Sequence, residues 1–516
     1  MKQKSIFRSF SLLTIITVIE KVIAFIFNAI LAAKFGPGIM TDSYFAVLEL
    51  FGVLEATAIS ALTVIALNRF SHYINHESEK KAFSFLSELL SFYLPIIISI
   101  SVGMFLFAEP VSYVISPGFS SEARKTLVMC IRIMSIDPIV ECITAIALSV
   151  LRQKRRFVIT GLRSLFISVI GILFVLVLCG VFKNQACLLT LAYVVSMALF
   201  CLLTVVCIRK YGKLHLVKPK ISVEIKRTVH MVLPLMVSYG VTRIALMIGK
   251  VIASLLGDGA VSELTYAHNL YAVVSAVFIS NLSVILLTDF NEMVANKEYQ
   301  SLTTKMRSVI SVMTILLIPI TVVSVICSDD VVKIVYERGS FTASSTVLVA
   351  QVLSVYALSF IPSMIYGIYS QLLYANGDTK TPMWVAVVTI VINLTVSFLL
   401  IKKIGLVSVA IGTLVSSLAS ILLCKIGVKK YLSEYRCAYT FRFVVCSIIA
   451  GCICVVVALF VKFLDFPAFL SFIVATVFCG SVFIVTLFLL KEETTVAMVK
   501  SGYSKLKSLR YSSEKN

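Results

Sequence analysis

The residues able to do chemistry in this chain lie where charge is expensive. Glu20 and Lys21 fall in the first apolar run, Asp42, Glu49 and Glu55 in the second, and Arg132, Asp137 and Glu141 in the fourth. Arg163 lies in the fifth run, Arg243 and Lys250 in the seventh, and His268 and Asn269 in the eighth. Asp42 and Glu49 are seven residues apart, as are Arg243 and Lys250, and Asp137 and Glu141 are four apart, so each pair shares a helix face. An ionisable side chain at the centre of a membrane helix costs roughly 2.5–3.5 kcal/mol on insertion scales, so such groups face a partner or a water-filled space. Two arrangements satisfy this set: salt bridges between helices, such as Lys21 with Glu55, or a hydrated central cavity of both signs that receives a polar, charged cargo. Arg132 and Arg163 lie nearer the run ends and are expected to snorkel or to pair with Asp137. Asp42 is expected to cap the turn where the second run begins.

Other chemistries find no support. There is no phosphate-binding Walker loop and no G-x-S-x-G, so ATP is not the direct energy source. The histidines His72, His76, His215, His230 and His268 form no metal pattern. The 13 cysteines are scattered, mostly inside apolar runs, and the closest pair, Cys452 and Cys454, is not a zinc spacing. Asp137 and Glu141 resemble an acid/base pair, but no nucleophile or metal motif stands beside them. The expectation is a protein that is not an enzyme and uses no cofactor or metal, with an ion gradient or the membrane potential as its energy source.

The elements that position these groups follow from composition. The chain is 59% hydrophobic and 14% charged, against about a quarter charged in soluble domains. The apolar residues recur in runs of about 18 to 28, each long enough to cross a hydrocarbon layer of roughly 30 Å. Without water to satisfy the backbone, such runs must be helices. The expected fold is an all-α polytopic membrane protein with about fourteen spans: 7–33, 43–68, 83–108, 126–151, 157–181, 185–208, 229–256, 262–288, 306–327, 346–373, 383–401, 405–427, 441–463 and 466–490. The opening MKQKSIFR and the run after it resemble a signal peptide, but the run is too long and carries Glu20 and Lys21, so it reads as a retained first helix. The net charge of +20 sits between apolar runs, which points to membrane lipids rather than nucleic acid. With the N-terminus inside, cytoplasmic segments hold roughly 32 Lys and Arg against roughly 9 outside, so both termini are expected in the cytoplasm.

The chain also repeats itself. A shift of about 221 residues aligns Gly36 with Gly257, Gly38 with Gly259, Thr41 with Ser262, Asp42 with Glu263 and Phe45 with Tyr266. In each case a G-x-G turn joins the first span of a half to its second, where glycine permits a tight reversal. Six spans per shift describe a parallel repeat, with substrate expected between halves. The predicted organisation is a lobe at 1–208, a basic cytoplasmic linker at 209–228, a second lobe at 229–427, and two further helices with a basic tail at 428–516. Spans one, two, seven and eight are expected to line the central cavity.

Gly36–Phe45 (GPGIMTDSYF), Pro117–Phe119 (PGF), Tyr336–Thr342 (YERGSFT) and Gly377–Pro382 (GDTKTP) resemble, in order and spacing, segments of the MurJ/MviN family. That family belongs to the multidrug/oligosaccharidyl-lipid/polysaccharide exporter superfamily, and the resemblance covers nearly the whole chain. It implies fourteen helices, two six-helix lobes in a V, alternating access, and a bacterial cytoplasmic (inner) membrane. It also implies flipping of the undecaprenyl-pyrophosphate-linked peptidoglycan precursor lipid II, with cell-wall synthesis proteins as partners. The family's acidic residue at the end of the first outer loop is matched by Asp42. Its first cavity arginine is matched by Lys21, which keeps the charge but not the bidentate fork. Three other basic cavity positions fall on Phe27, Glu55 and Asn269. Arg243 and Lys250 are candidates to replace them. The candidate substrate-binding set is therefore Lys21, Arg243, Lys250, Asn269 and Glu55, and the candidate gating set is Asp42, Gly36, Gly38, Gly257 and Gly259.

The same residues admit other functions. Glu49 and Glu55 would suit an antiporter of small cations or drugs, and the cargo could be a lipid-linked polysaccharide unit other than lipid II. A membrane polymerase or acyltransferase would need a large outer loop, and the outer loops here are short. A scaffold descended from a transporter is the remaining reading, supported only by the missing arginines.

Overall fold

The computed structural model describes residues 2–178, 184–218, 236, 240, 243–244, 246–432, 439, 441–492 and 495. The described residues form helices and no strands, as the lack of water in hydrocarbon requires. Among the described residues nine helices are long and apolar enough to cross a membrane. A tenth span forms if Ala343–Leu358 and Phe360–Ala375, bent by 41°, are taken together. The other expected spans fall differently. Those at 7–33 and 262–288 coincide with the helices Lys2–Phe35 and Ala260–Ala295, the latter interrupted by a π turn. The one at 157–181 is the shorter apolar helix Arg163–Leu178 preceded by the single turn Phe157–Thr160. The one at 229–256 lies largely outside the described residues.

The repeat is visible in the irregularities of the helices. The helix that begins at Ile39 passes through a π turn at Glu55–Ile59, and the one that begins at Ala260 through a π turn at Ala276–Ser280, 221 residues later. Glu79–Leu106 and Tyr299–Ile326, each with an internal proline (Pro95, Pro319), stand 220 residues apart. Each is followed by an eight-residue helix, Ala108–Ile115 or Ser328–Val335. These short helices are too brief to register as spans. Single-turn π bulges inside α-helices are frequent at functional sites, and here both halves keep one at the same register.

The chain forms two compact units, one of Met1–Thr265 with Arg338–Thr342, the other of Tyr266–Glu337 with Ala343–Asn516. The first is centred on Leu62, Phe70, Phe83, Leu86, Ile146 and Phe200. The second has a core around Phe290, Ile310, Phe360 and Leu372. It has another core where the last two helices, Phe441–Phe463 and Ala468–Leu489, pack on Tyr299–Ile326. In lipid these clusters gain from close packing rather than from expelled water, which favours small side chains at helix contacts. Ala450, Cys454 and Ala458 meet Ala475 and Cys479 in this way, with the Cys454 thiol donating to the Cys479 carbonyl at 3.3 Å. The cysteines there act as small fillers. Outward faces are apolar, as at Leu422 and Ile426, which is the composition lipid contact demands.

Candidate functional site

Within the first unit the two G-x-G turns meet. Gly36 adopts φ +61°, and Gly257 and Gly259 adopt +104° and +95°, the left-handed region that favours glycine. Gly38 differs: its φ of 165° is extended backbone, and a Cβ there would meet nothing within 4 Å. The local turn is closed by Thr41, whose hydroxyl donates to the Gly36 carbonyl (2.8 Å) and accepts from the Gly38 amide (3.1 Å). Asp42 therefore does not cap the turn at the start of its own helix. It is fully buried and caps the helix Ala260–Ser275 instead. Oδ2 accepts from the Gly259 amide at 2.6 Å and Oδ1 from the Ser262 amide at 2.7 Å. The Ser262 hydroxyl lies within hydrogen-bonding reach of Asp42 and of the Thr41 hydroxyl, the latter at 2.8 Å. A helix that opens on Gly-Asp-Gly has no capping side chain at Gly259, and its first amides need acceptors. A carboxylate supplies them and suits the positive end of the helix.

A second pair of contacts has the same symmetry. The Ser340 amide donates to the Ala33 carbonyl (2.8 Å) and its hydroxyl to the Lys34 carbonyl (3.1 Å). Gly339 lies against the same Ala33 carbonyl, with no room for a Cβ. Gly118 lies in the same way against the Ser254 carbonyl and Leu255. Positions 33 and 254, like 118 and 339, are 221 apart. The loop after each eight-residue helix thus grips the end of the other half's first helix.

Deeper in this unit the charges pair across helices. Glu49 accepts from Lys250 at 2.9 Å and lies 3.7 Å from Arg243, whose side chain is 48% exposed. Lys250 also reaches the Phe45 carbonyl at 3.4 Å. Lys21 is the most open of the set: its side chain is 66% exposed and its ammonium is 4.0 Å from the Glu20 carboxylate. Glu55 does not pair with Lys21. It takes Arg163 Nη1 at 2.6 Å, while Nη2 of the same guanidinium donates to Glu141. Arg163 is thus a cross-link of three helices rather than a snorkelling or Asp137-paired residue. Arg132 lies over the Phe105 ring, 5.8 Å from its centre. Phe27, at a basic position of the resembling family, is buried with its ring against Gly171. Asn269 is half-buried and belongs to the second unit. Sequence reasoning missed Arg163, Thr41 and Ser262 as working residues. The repeat alignment of Thr41 with Ser262 was the signal for the last two.

The loops at the expected cytoplasmic side are ordered by capping. Asp378 accepts from the Thr381 amide (2.9 Å), the Thr381 hydroxyl (2.7 Å) and the Tyr431 hydroxyl (3.3 Å). Burial pushes its pKa up, but these hydrogen bonds outweigh that and hold it below the ordinary 3.8. The start of the basic linker runs along the helix Glu79–Leu106, with the His215 and Val217 amides donating to the hydroxyls of Ser87 and Ser91. The rest of the linker, from residue 219, lies outside the described residues.

The family model described as "Lipid II flippase MurJ" matches residues 31–479. A Rickettsia prowazekii protein named "Probable lipid II flippase MurJ" is 26% identical over 421 residues, covering 80% of this chain and 82% of its own length. A solved structure, "Lipid II flippase MurJ, inward closed conformation", superposes with a TM-score of 0.76 at 18% identity, covering 92% of this chain and 99% of that one. An inward-facing multidrug resistance MATE transporter of the MOP superfamily gives a TM-score of 0.68 at 12% identity, covering 81% of this chain and 96% of its own. At these identities the two structures establish the shared fold.

Proposed function

The chain belongs to the lipid II flippase MurJ family, and we propose that it carries an undecaprenyl-pyrophosphate-linked saccharide, most simply lipid II, from the inner to the outer leaflet of the bacterial inner membrane. It does so by alternating access between the lobes 1–208 and 229–427, and it is a transporter rather than an enzyme. The family match over most of the chain is the observation that carries the reading. The site geometry supports it in two ways. Asp42 and the paired loops tie together the ends of the first helices of both halves, and in this reading those ties are the carrier's outer closure. Lys21 presents an exposed ammonium below that closure, and a pyrophosphate needs such cations, because bare charge in hydrocarbon costs many kcal/mol.

In this reading Lys21 contacts the phosphate and Arg243 and Lys250 assist. Glu49 competes with the cargo for both helpers, so cargo binding loosens them from it. The lipid tail stays in the bilayer. The membrane potential or an ion gradient drives the cycle, without ATP or cofactor. Both termini and the linker face the cytoplasm; labelling of linker cysteines from outside intact cells would overturn that orientation. The direct test is rescue of a bacterium depleted of its lipid II flippase, together with flipping of lipid II by the purified chain in vesicles. Growth and flipping support the reading. Failure of both, with export of cationic dyes instead, favours a drug antiporter.

A further inference from the structure

Three carboxyl groups and one guanidinium converge inside the first unit. Glu55 stands at the first residue of the π turn, Asp137 and Glu141 lie on the helix Asp137–Gln153, and Arg163 begins the helix Arg163–Leu178. The Arg163 fork is divided, one nitrogen to Glu55 at 2.6 Å and the other to Glu141. Asp137 receives neither. It is 4% exposed, and its Oδ1 is buried with no hydrogen-bond partner among the described residues. Glu141 is equally buried, whereas the Glu55 side chain is 26% exposed, so Glu55 is the carboxyl of the three that reaches the surface of the unit. The other titratable or charged groups facing the cluster are Arg152, Tyr193 and Cys201.

With all three acids ionised, Arg163 alone would leave two uncompensated negative charges, and counting the neighbouring Arg152 still leaves one. Burying a single unpaired ion carries a penalty of several kcal/mol, which groups in proteins avoid by taking up a proton. A divalent metal is a poor alternative: Arg163 occupies the middle of the cluster, and among the described residues no group of three or more ligating side chains can hold a metal ion. We propose that Asp137, Glu141 and Glu55 around Arg163 form a proton-binding site, loaded from water through Glu55, with the proton held by Asp137 or shared between Asp137 and Glu141. In so tightly coupled a group the proton belongs to the set rather than to one carboxyl.

Protonating Glu141 or Glu55 weakens its bond to Arg163, and those bonds tie three helices together at the π turn of the second span. Proton occupancy is thereby linked to how that span packs. The second half has Ala276 where the first has Glu55, so this π turn carries a charge in one half only. The inference rests on the transporter reading for its role in the cycle, but proton binding itself can be read without transport.

The test uses the full-length chain in lipid bilayers. Infrared difference spectra taken across the physiological pH range should show the carbonyl band of a protonated, buried carboxyl, lost in Asp137→Asn and displaced in Glu141→Gln. In vesicles holding lipid II, with the membrane potential clamped to zero by potassium and valinomycin, an imposed pH gradient should change the flipping rate several-fold in the wild type and not in Asp137→Asn. Should Asp137→Asn fail to fold, Glu55→Gln replaces it and must move the band's titration. Absence of the band, or its persistence unchanged in the variants, overturns the proton site. A wild type that flips lipid II at one rate whatever the gradient overturns the link between the proton and the transport cycle. A band that behaves as expected in a protein that moves no lipid II leaves the proton site standing and removes the transport reading instead.

Discussion

Replacing Asp42 with alanine should unlock the outer side. The carboxyl takes two buried backbone amides, of Gly259 and Ser262, and the Ser262 hydroxyl. The hydroxyl can turn to another acceptor, but the amides cannot. Each buried amide left without a partner costs about 1–3 kcal/mol, and water entering from the outer face recovers part of that. A net loss of about 2–4 kcal/mol from the closed arrangement is expected, and at about 1.4 kcal/mol per factor of ten this is roughly a 30- to 1000-fold shift toward opening. Asp42→Asn should fall between. Its single carbonyl oxygen can serve one amide, while its NH2 is turned against the other. The assay is labelling of a Gly38→Cys reporter by a membrane-impermeant thiol reagent from outside, with native cysteines replaced. Gly38 suits the reporter because its backbone is extended and the space around it is open. Labelling should speed up in the order wild type, Asn, Ala. Equal labelling in all three, with lipid II flipping at the wild-type rate, would show that the cap does not hold the outer side shut.

Lys21→Ala should abolish flipping in vesicles at matched expression while Lys21→Arg retains it; normal transport by the alanine variant would remove Lys21 from the phosphate contact. Gly36→Ala should lower the unfolding temperature in detergent, since its Cβ runs into the Ser340 carbonyl at φ +61°, with a cost of at least about 1 kcal/mol for the left-handed backbone alone. Gly38→Ala should leave that temperature nearly unchanged, and equal losses at the two positions would contradict the turn geometry. Asp378→Ala should destabilise the chain at neutral pH. Because the folded carboxyl titrates below its ordinary 3.8, its contribution is complete above that value and is lost as the pH falls through the lower folded value. The difference in unfolding temperature between wild type and variant should therefore shrink on acidification, and a difference that grows there would refute the capping role.

The sequence by itself determined the membrane class, the helical fold and the repeat. A hydrocarbon layer accepts only long apolar helices, so composition along the chain is close to a map of the spans. The 221-residue shift, visible in a handful of aligned residues such as Thr41 and Ser262, returns in the structure as paired π turns and paired short helices. Partnership among the charged groups was decided only in three dimensions. Arg163 bonds Glu55, 108 residues away, and Glu141, 22 away, and Asp42 caps a helix that begins more than 200 residues later. Spacing along one helix tells which residues share its face, but not which neighbouring helix that face meets, or at what depth. The same limit explains Gly38, whose G-x-G motif suggested a glycine-dependent turn. Its backbone proved extended because Thr41 had already closed the reversal around Gly36. A charge in lipid must find its counterpart somewhere, and the tertiary packing of helices selects which one is near enough to serve.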